Sequence, residues 1–128
     1  MHQKPVCPFC HPDAELIAQN DLAFAIRDKY PVTPGHTLVI PKRHVADYFE
    51  LTKEEHDAIG ELVRDQKLRL EAMDPAVSGF NLGVNVGQDA GQTIFHVHVH
   101  LIPRRHGDME APQGGVRGVI PEKRRYGR

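Results

Sequence analysis

Three histidines alternate with apolar residues in His96-Val97-His98-Val99-His100, and the only two cysteines stand close together in Cys7-Pro8-Phe9-Cys10. By type and spacing these are the residues best suited to chemistry. Near neutral pH an imidazole can exchange a proton, attack an electrophile or hold a metal. On a strand, alternation would set the three imidazoles on one face, about 6.6 Å apart from a rise of roughly 3.3 Å per residue. Val97, Val99 and Leu101 would then enter the core. A purely structural strand has little use for such a row, and two chemical readings compete for it. One is a tri-histidine metal centre for hydrolysis. Its difficulty is reach, because each nitrogen must approach one ion to ~2.0–2.1 Å. The other is nucleophilic catalysis on phosphorus, in which a neutral imidazole takes up a phosphoryl-bearing group and passes it to water or another acceptor. The second reading fits the spacing better.

The cysteine pair excludes a multi-bridge disulfide framework. C-x-x-C spacing lets two thiolates share one tetrahedral ion, with two further ligands drawn from elsewhere. Two alternatives stand beside it. A redox pair would require a βαβ setting that the N-terminal sequence does not show. Cys10-His11 also completes a C-x-x-C-H haem-attachment string, whose chemistry normally follows export. His2, His11, His56 and His106 have no such context and read as surface or packing residues.

The elements that must position these groups can be read from pattern. Glu15–Gln19 and Leu22–Ile26 read as two strands around Asn20-Asp21, residues that tolerate the positive φ of a two-residue hairpin. A loop with Pro31, Pro34 and Gly35 leads to a strand over 36–40, stopped by Pro41. Thr52 and Glu55 form a capping-box signature, and Ile59, Leu62, Val63, Leu70 and Met73 share one face of a helix over about 53–73. Gly60 inside it costs roughly 1 kcal/mol against alanine, which marks close packing or simple tolerance. Strands over 80–86 and 95–102 follow, joined by the polar loop 87–93. The Gly114–Gly118 segment could cradle a polyphosphate with backbone amides and Arg117, although it lacks the lysine and Ser/Thr of a P-loop. The basic end, Lys123–Arg128, reads as a mobile tail. Strands, one long helix, then strands predict an α+β domain with an antiparallel sheet.

Composition narrows the function. The 128 residues are 40% hydrophobic and 26% charged, one ordinary domain. Sixteen basic against seventeen acidic residues are not the footprint of bulk nucleic-acid binding. No run is apolar enough to span a membrane, and the opening Met1–Cys7 has no secretory core, which sets a cytoplasmic expectation.

Gly91-Gln92-Thr93-Ile94-Phe95-His96-Val97-His98-Val99-His100-Leu101-Ile102 resembles the signature of the histidine triad (HIT) superfamily, His-x-His-x-His followed by two apolar residues. The likeness extends to Pro34–His44, to Asn85-Val86-Gly87 and to Ala90-Gly91-Gln92, and so covers a core of about 7–103. The remainder, 104–128, is a basic glycine-rich extension of a single HIT domain over 1–128. The resemblance implies a HIT-like fold with a short N-terminal zinc-binding segment. It also implies a nucleotide-phosphate hydrolase or transferase that acts at the α-phosphate through a nucleotidyl-His98 intermediate. His100 and His36 would join His98 in the catalytic cluster. Asp28 would meet the ribose hydroxyls, while Asn85, Gln92 and Thr93 would contact phosphate or shape its loop, with Gln88 near the leaving group. Zinc-bearing members suggest Cys7, Cys10, His44 and His96 as ligands of a structural Zn2+, with no metal required for the chemical step. The substrate would be a purine nucleoside phosphoramidate or a dinucleoside polyphosphate, and the assembly a homodimer. Val97 and Val99 argue against the sugar-phosphate uridylyltransferase branch, which carries prolines there. Two alternatives remain: a slow-turnover nucleotide-binding adaptor and a metal-dependent hydrolase.

Overall fold

The computed structural model describes residues 7–127, so the Met1–Val6 run with His2, and Arg128, lie outside it. Five strands form one antiparallel sheet: β1 (Ala18–Gln19), β2 (Ala23–Arg27), β3 (Thr37–Pro41), β4 (Val77–Val84) and β5 (Val99–Arg105), in the order β1-β2-β3-β5-β4. One long helix, α1 (Lys53–Met73), crosses one face. The expected α+β architecture is therefore present. No helix among the described residues is long and apolar enough to cross a membrane.

The helix starts where its sequence says it should. Thr52 accepts from the Glu55 amide, and Glu55 reaches back to the Thr52 amide, which satisfies two otherwise orphaned donors. Ala58, Ile59 and Leu62 bury against Ala23, Ala25, Val39, Val97 and Val99. Met73, expected on that face, is instead exposed at the last position of the helix. Glu55 is buried and takes two bonds from the Arg43 guanidinium, which holds its carboxyl down at about 2. Gly60 faces open space, so tolerance rather than packing accounts for it. Gly60→Ala is expected to stabilise the chain by about 0.5–1 kcal/mol, read as a rise in denaturant midpoint at constant slope. An unchanged or lower midpoint would mean that the site is covered in solution.

Several expected boundaries move. The first strand holds only Ala18–Gln19, and the connection is longer than a two-residue hairpin. Asn20 turns the chain with its side chain, accepting from the Leu22 and Ala23 amides, and neither Asn20 nor Asp21 has positive φ. The strand expected at 80–86 runs instead over Val77–Val84, since the Asp74-Pro75 turn releases the chain into the ladder at once and a bulge at Ser78 resets its register. Pro41 closes β3 from within rather than stopping it from outside. Gly35 (φ 92°) makes the turn into β3, where a Cβ would press on Leu70.

The strand expected over 95–102 begins only at Val99 and runs to Arg105. Residues 94–96 bend away, and the Val97 amide bonds to the Val45 carbonyl instead of entering the ladder. The three imidazoles are thus not a regular row. The basic end is also not a free tail. Arg117 donates to the Lys123 and Arg124 carbonyls and stacks on Tyr126, and at Gly114 (φ 95°) a Cβ would strike the Arg124 carbonyl. The segment 112–127 is folded back on itself as a strap, and that use of Arg117 replaces the phosphate-holding role entertained for it.

Candidate active site and metal centre

The sheet face opposite α1 carries the chemistry. Cross-strand pairing sets Leu38 opposite both Ile26 and His100, and Ile40 opposite Phe24. Phe9 closes over this apolar floor. Val97, Val99 and Leu101 are buried, as alternation requires, while His98 and His100 are half-buried with ring centroids 5.2 Å apart.

His96 has turned inward and is fully buried. Its Nε2 lies 2.7 Å from the Pro41 carbonyl, so Nε2 carries the proton and Nδ1 keeps a lone pair. That lone pair faces both cysteines, with Nδ1 3.4 Å from Cys7 Sγ and 3.6 Å from Cys10 Sγ. His44 Nδ1 stands 3.2 Å from Cys10 Sγ. Four ligands around tetrahedral zinc, with Zn–S near 2.3 Å and Zn–N near 2.0–2.1 Å, would set sulfur and nitrogen about 3.5 Å apart. All four donor atoms lie within 4.8 Å of one another. Burial and the neighbouring Cys7 push the Cys10 thiol up, so two adjacent thiolates need a cation to ionise together. Cys7, Cys10, His44 and His96 could thus hold a metal, and the set fits zinc in both chemistry and spacing. The Pro41 carbonyl fixes the tautomer of one ligand.

His98 is held the opposite way round. Its Nδ1 lies 2.8 Å from the His96 carbonyl, an atom that can only accept, so Nδ1 is the protonated nitrogen and Nε2 presents a free lone pair. His36 and His100 form a second relay. The Val32 amide donates to His36 Nδ1 (3.0 Å), and His36 Nε2 then donates to His100 Nδ1 (2.9 Å). The remaining proton of His100 is on Nε2. Asp28 Oδ2 lies 3.4 Å from His36 Nε2, while its Oδ1 accepts from the Tyr30 amide, so Asp28 both caps its loop and faces the cluster. Asp28, His36 and His100 also lie close enough to share an ion. The imidazole-to-imidazole bond occupies the facing nitrogens, however, which favours a hydrogen-bond chain over a metal centre.

Burial lowers the pKa of both His36 and His96, and burial aided by His98 and His36 takes His100 down to about 4. The relay is neutral at neutral pH. Between pH 6.5 and about 4 an unfolded His100 binds a proton that the folded one refuses, so stability falls as pH drops through that window. Glu55, depressed from 4.5 to about 2, extends the loss below pH 4.5 as its pairing with Arg43 is protonated away. Chemical denaturation at pH 7, 5 and 3 is expected to give successively lower stability. A flat profile would contradict the buried neutral relay.

The loop before the triad is built by Gln92. Its buried amide accepts from the Gly87 amide and donates to the Ala46 and Ile94 carbonyls, which engages it in shaping the loop. Asn85 directly follows β4 and lines the cleft beside His100, whereas Gln88 and Thr93 are exposed on the loop. Sequence reasoning missed Phe9 as a packing partner of His98 (4.9 Å between centroids) and the roles of the Val32 amide and Pro41 carbonyl. Backbone partners leave no signature in residue type.

The described residues thus set a histidine relay beside a candidate Cys2His2 metal tetrad on an antiparallel sheet. The HIT domain family matches residues 11–107, and the chain belongs to that family. An uncharacterised HIT-like protein of Mycoplasma pneumoniae is 42% identical over 89 residues, 69% of this chain and 60% of that protein. The chain thus spans about three fifths of that relative's length. A bis(5'-adenosyl)-triphosphatase of Dictyostelium discoideum is 36% identical, covering 80% of this chain and 68% of its own. An asymmetrical bis(5'-nucleosyl)-tetraphosphatase of Schizosaccharomyces pombe is 39% identical, covering 75% and 52%. Among solved structures, a hypothetical histidine triad nucleotide-binding protein of Sulfolobus tokodaii superposes with a TM-score of 0.73 at 37% identity, over 82% of this chain and 73% of that one. A zinc-bound histidine triad family protein of Mycobacterium smegmatis does so with 0.67 at 34% identity, over 80% and 75%.

Proposed function

We propose that this chain is a nucleotide-phosphate hydrolase or transferase that cleaves at the α-phosphate of a purine nucleoside phosphoramidate or dinucleoside polyphosphate. The observation that carries the reading is the fixed tautomer of His98, whose Nδ1–H bond to the His96 carbonyl frees Nε2 for attack. Nε2 forms a bond to the α-phosphorus while the bond from phosphorus to the leaving group breaks. The leaving group departs with that electron pair and takes up a proton from solvent, which the attacking water gives back in the second step. Water then attacks the nucleotidyl-His98 phosphorus, which restores the Nε2 lone pair and releases a nucleoside monophosphate. Attack makes the imidazole cationic, and the His96 carbonyl dipole stabilises that charge where it develops. The Nε2–H of neutral His100 donates to a phosphate oxygen, and His36 holds His100 in that tautomer. Asp28 keeps an oxygen available for ribose hydroxyls. Asn85 and Thr93 serve the phosphate, Gln92 shapes their loop, and Gln88 stands by the leaving group.

The tetrad of Cys7, Cys10, His44 and His96 holds a structural zinc ion that takes no part in the step. The zinc-bound mycobacterial relative supports this assignment. A homodimer is supported by the edge position of β4 and the exposure of Leu82 on it. The cytoplasm is the working compartment. The names of the Dictyostelium and Schizosaccharomyces relatives support nucleotide hydrolysis. Incubation with adenosine 5'-phosphoramidate and, separately, diadenosine triphosphate is expected to release AMP from at least one, at a rate that added EDTA does not change within minutes. Binding without AMP release would favour an adaptor. Immediate loss on chelation would favour a metal-dependent hydrolase.

A further inference from the structure

Alternation along β2 turns Phe24 and Ile26 toward the histidine face and leaves Ala23, Ala25 and Arg27 on the face that α1 covers. Arg27 thus ends an apolar row, at a position where an aliphatic side chain would serve packing better. Its Nη1 donates to Thr37 Oγ1 (2.7 Å) and to Gln66 Oε1 (3.0 Å). Both partners are fully buried, Thr37 on β3 and Gln66 on α1. The Thr37 hydroxyl donates in turn to the Gly35 carbonyl (2.8 Å). Polar bonds therefore run without a break from the helix, through Arg27, to the turn that enters β3.

Among the described residues no carboxylate pairs with Arg27. Burial accordingly lowers its pKa. A cation drawn from water onto neutral acceptors costs free energy, and packing alone does not call for it. The place where that cost is borne adjoins two residues of the site.

Arg27 and Thr37 are the last paired residues of β2 and β3 before the 28–36 loop. One step further along each chain, and so on the opposite face, stand Asp28 and His36. The Asp28 amide donates to the His36 carbonyl (2.9 Å), and Asp28 Oδ2 lies 3.4 Å from His36 Nε2. Beyond that bond the loop leaves the sheet and is tied elsewhere, as where the Thr33 hydroxyl donates to the Pro103 carbonyl. The spacing of the Asp28 carboxylate from the relay therefore depends on how firmly the Arg27–Thr37 pair is held. Arg27 and Gln66 hold it from behind.

We propose that Arg27 is a positioning residue for the nucleoside end of the substrate. Braced by Gln66 and Thr37 on the α1 face, it sets the separation of Asp28 and His36 on the other face. With that separation it sets the preference for a ribose over a sugar without hydroxyls. The inference rests on the reading above that Asp28 meets the ribose hydroxyls. Arg27 touches no substrate and acts through Asp28.

The test measures dissociation constants of AMP and 2',3'-dideoxy-AMP for the full chain and for Arg27→Met, Arg27→Lys and Thr37→Val. Ligand is kept in excess, so an unfolded fraction leaves each value unchanged. The wild type is expected to prefer AMP by roughly 10- to 100-fold, the scale of one charge-assisted hydrogen bond. Methionine keeps the apolar stem and removes the donor, and valine removes the acceptor with little change of shape. In both variants the preference is expected to fall toward one. Arg27 makes both bonds from a single nitrogen, which an ammonium group can also do. Arg27→Lys is therefore expected to retain most of the preference. An unaltered preference in Arg27→Met or in Thr37→Val, or an equal loss in Arg27→Lys, overturns the positioning role. A wild-type preference near one, or no binding of AMP, overturns the place given to Asp28 and the brace with it. Release of AMP from adenosine 5'-phosphoramidate is followed in parallel. Its absence overturns the reaction alone, and the affinity ratios still decide the role of Arg27.

Discussion

His98→Asn is expected to lower kcat/KM for an adenosine phosphoramidate by roughly ten-thousand-fold or more, the scale on which loss of a nucleophile acts. Asparagine keeps a polar side chain near the His96 carbonyl but offers no lone pair able to carry a phosphoryl-bearing group. Folding should be spared, because His98 is only half-buried and its polar partner among the described residues is a carbonyl 2.8 Å away. The measurement is steady-state release of AMP beside a thermal unfolding scan. His100→Asn makes a useful contrast. It removes a donor and one end of the relay, and a loss of roughly 100- to 1,000-fold is expected, as for a stabilising hydrogen bond. If His98→Asn retained more than a few per cent of activity, another group would have to be the nucleophile.

Cys7→Ser/Cys10→Ser is expected to act on stability and metal content together. The tetrad ties the segment before β1 to the loop after β3 and to the bend before β5. A metal held only by the folded chain stabilises it by about 4 kcal/mol when present at a thousand times its dissociation constant. In a domain of this size that corresponds to a melting shift on the order of 10 °C. Elemental analysis of the purified wild type is expected to give one zinc per chain, and the variant none. His96 is both a tetrad member and, through its carbonyl, the anchor of His98, so metal loss should also lower turnover over hours as the bend relaxes. A metal-free wild type of the same stability would remove the tetrad from this account.

The helix, the antiparallel sheet and the inward face of Val97, Val99 and Leu101 could be read from sequence because they rest on periodicity and on the Thr52–Glu55 cap, both local. The split of the histidines could not. Alternation predicts three equivalent rings, but the two cysteines and the Pro41 carbonyl reorient His96 from far along the chain, and β5 begins three residues later than His96. Asn20 shows a smaller version of the same limit. Its residue type predicted a turn, yet its side-chain bonds, not its φ, set the turn's length. The fold of the C-terminal strap was illegible because Arg117 reads as a surface cation until its carbonyl partners are in place. Gln92 was singled out by resemblance, but only the positions of the Gly87 amide and the Ala46 and Ile94 carbonyls show why a glutamine suits the loop.

The central claim is that His98 attacks phosphorus and carries the nucleotide. It is tested most directly by intact-protein mass spectrometry after rapid, acid-free quenching with an adenosine phosphoramidate, with wild type and His98→Asn run in parallel and excess chelator in a second set. The account predicts a transient gain of one adenylyl group in the wild type, indifferent to chelator and absent from the variant. Turnover with no adduct, abolished at once by the chelator, would contradict it and make the cluster of Asp28, His36 and His100 a metal centre.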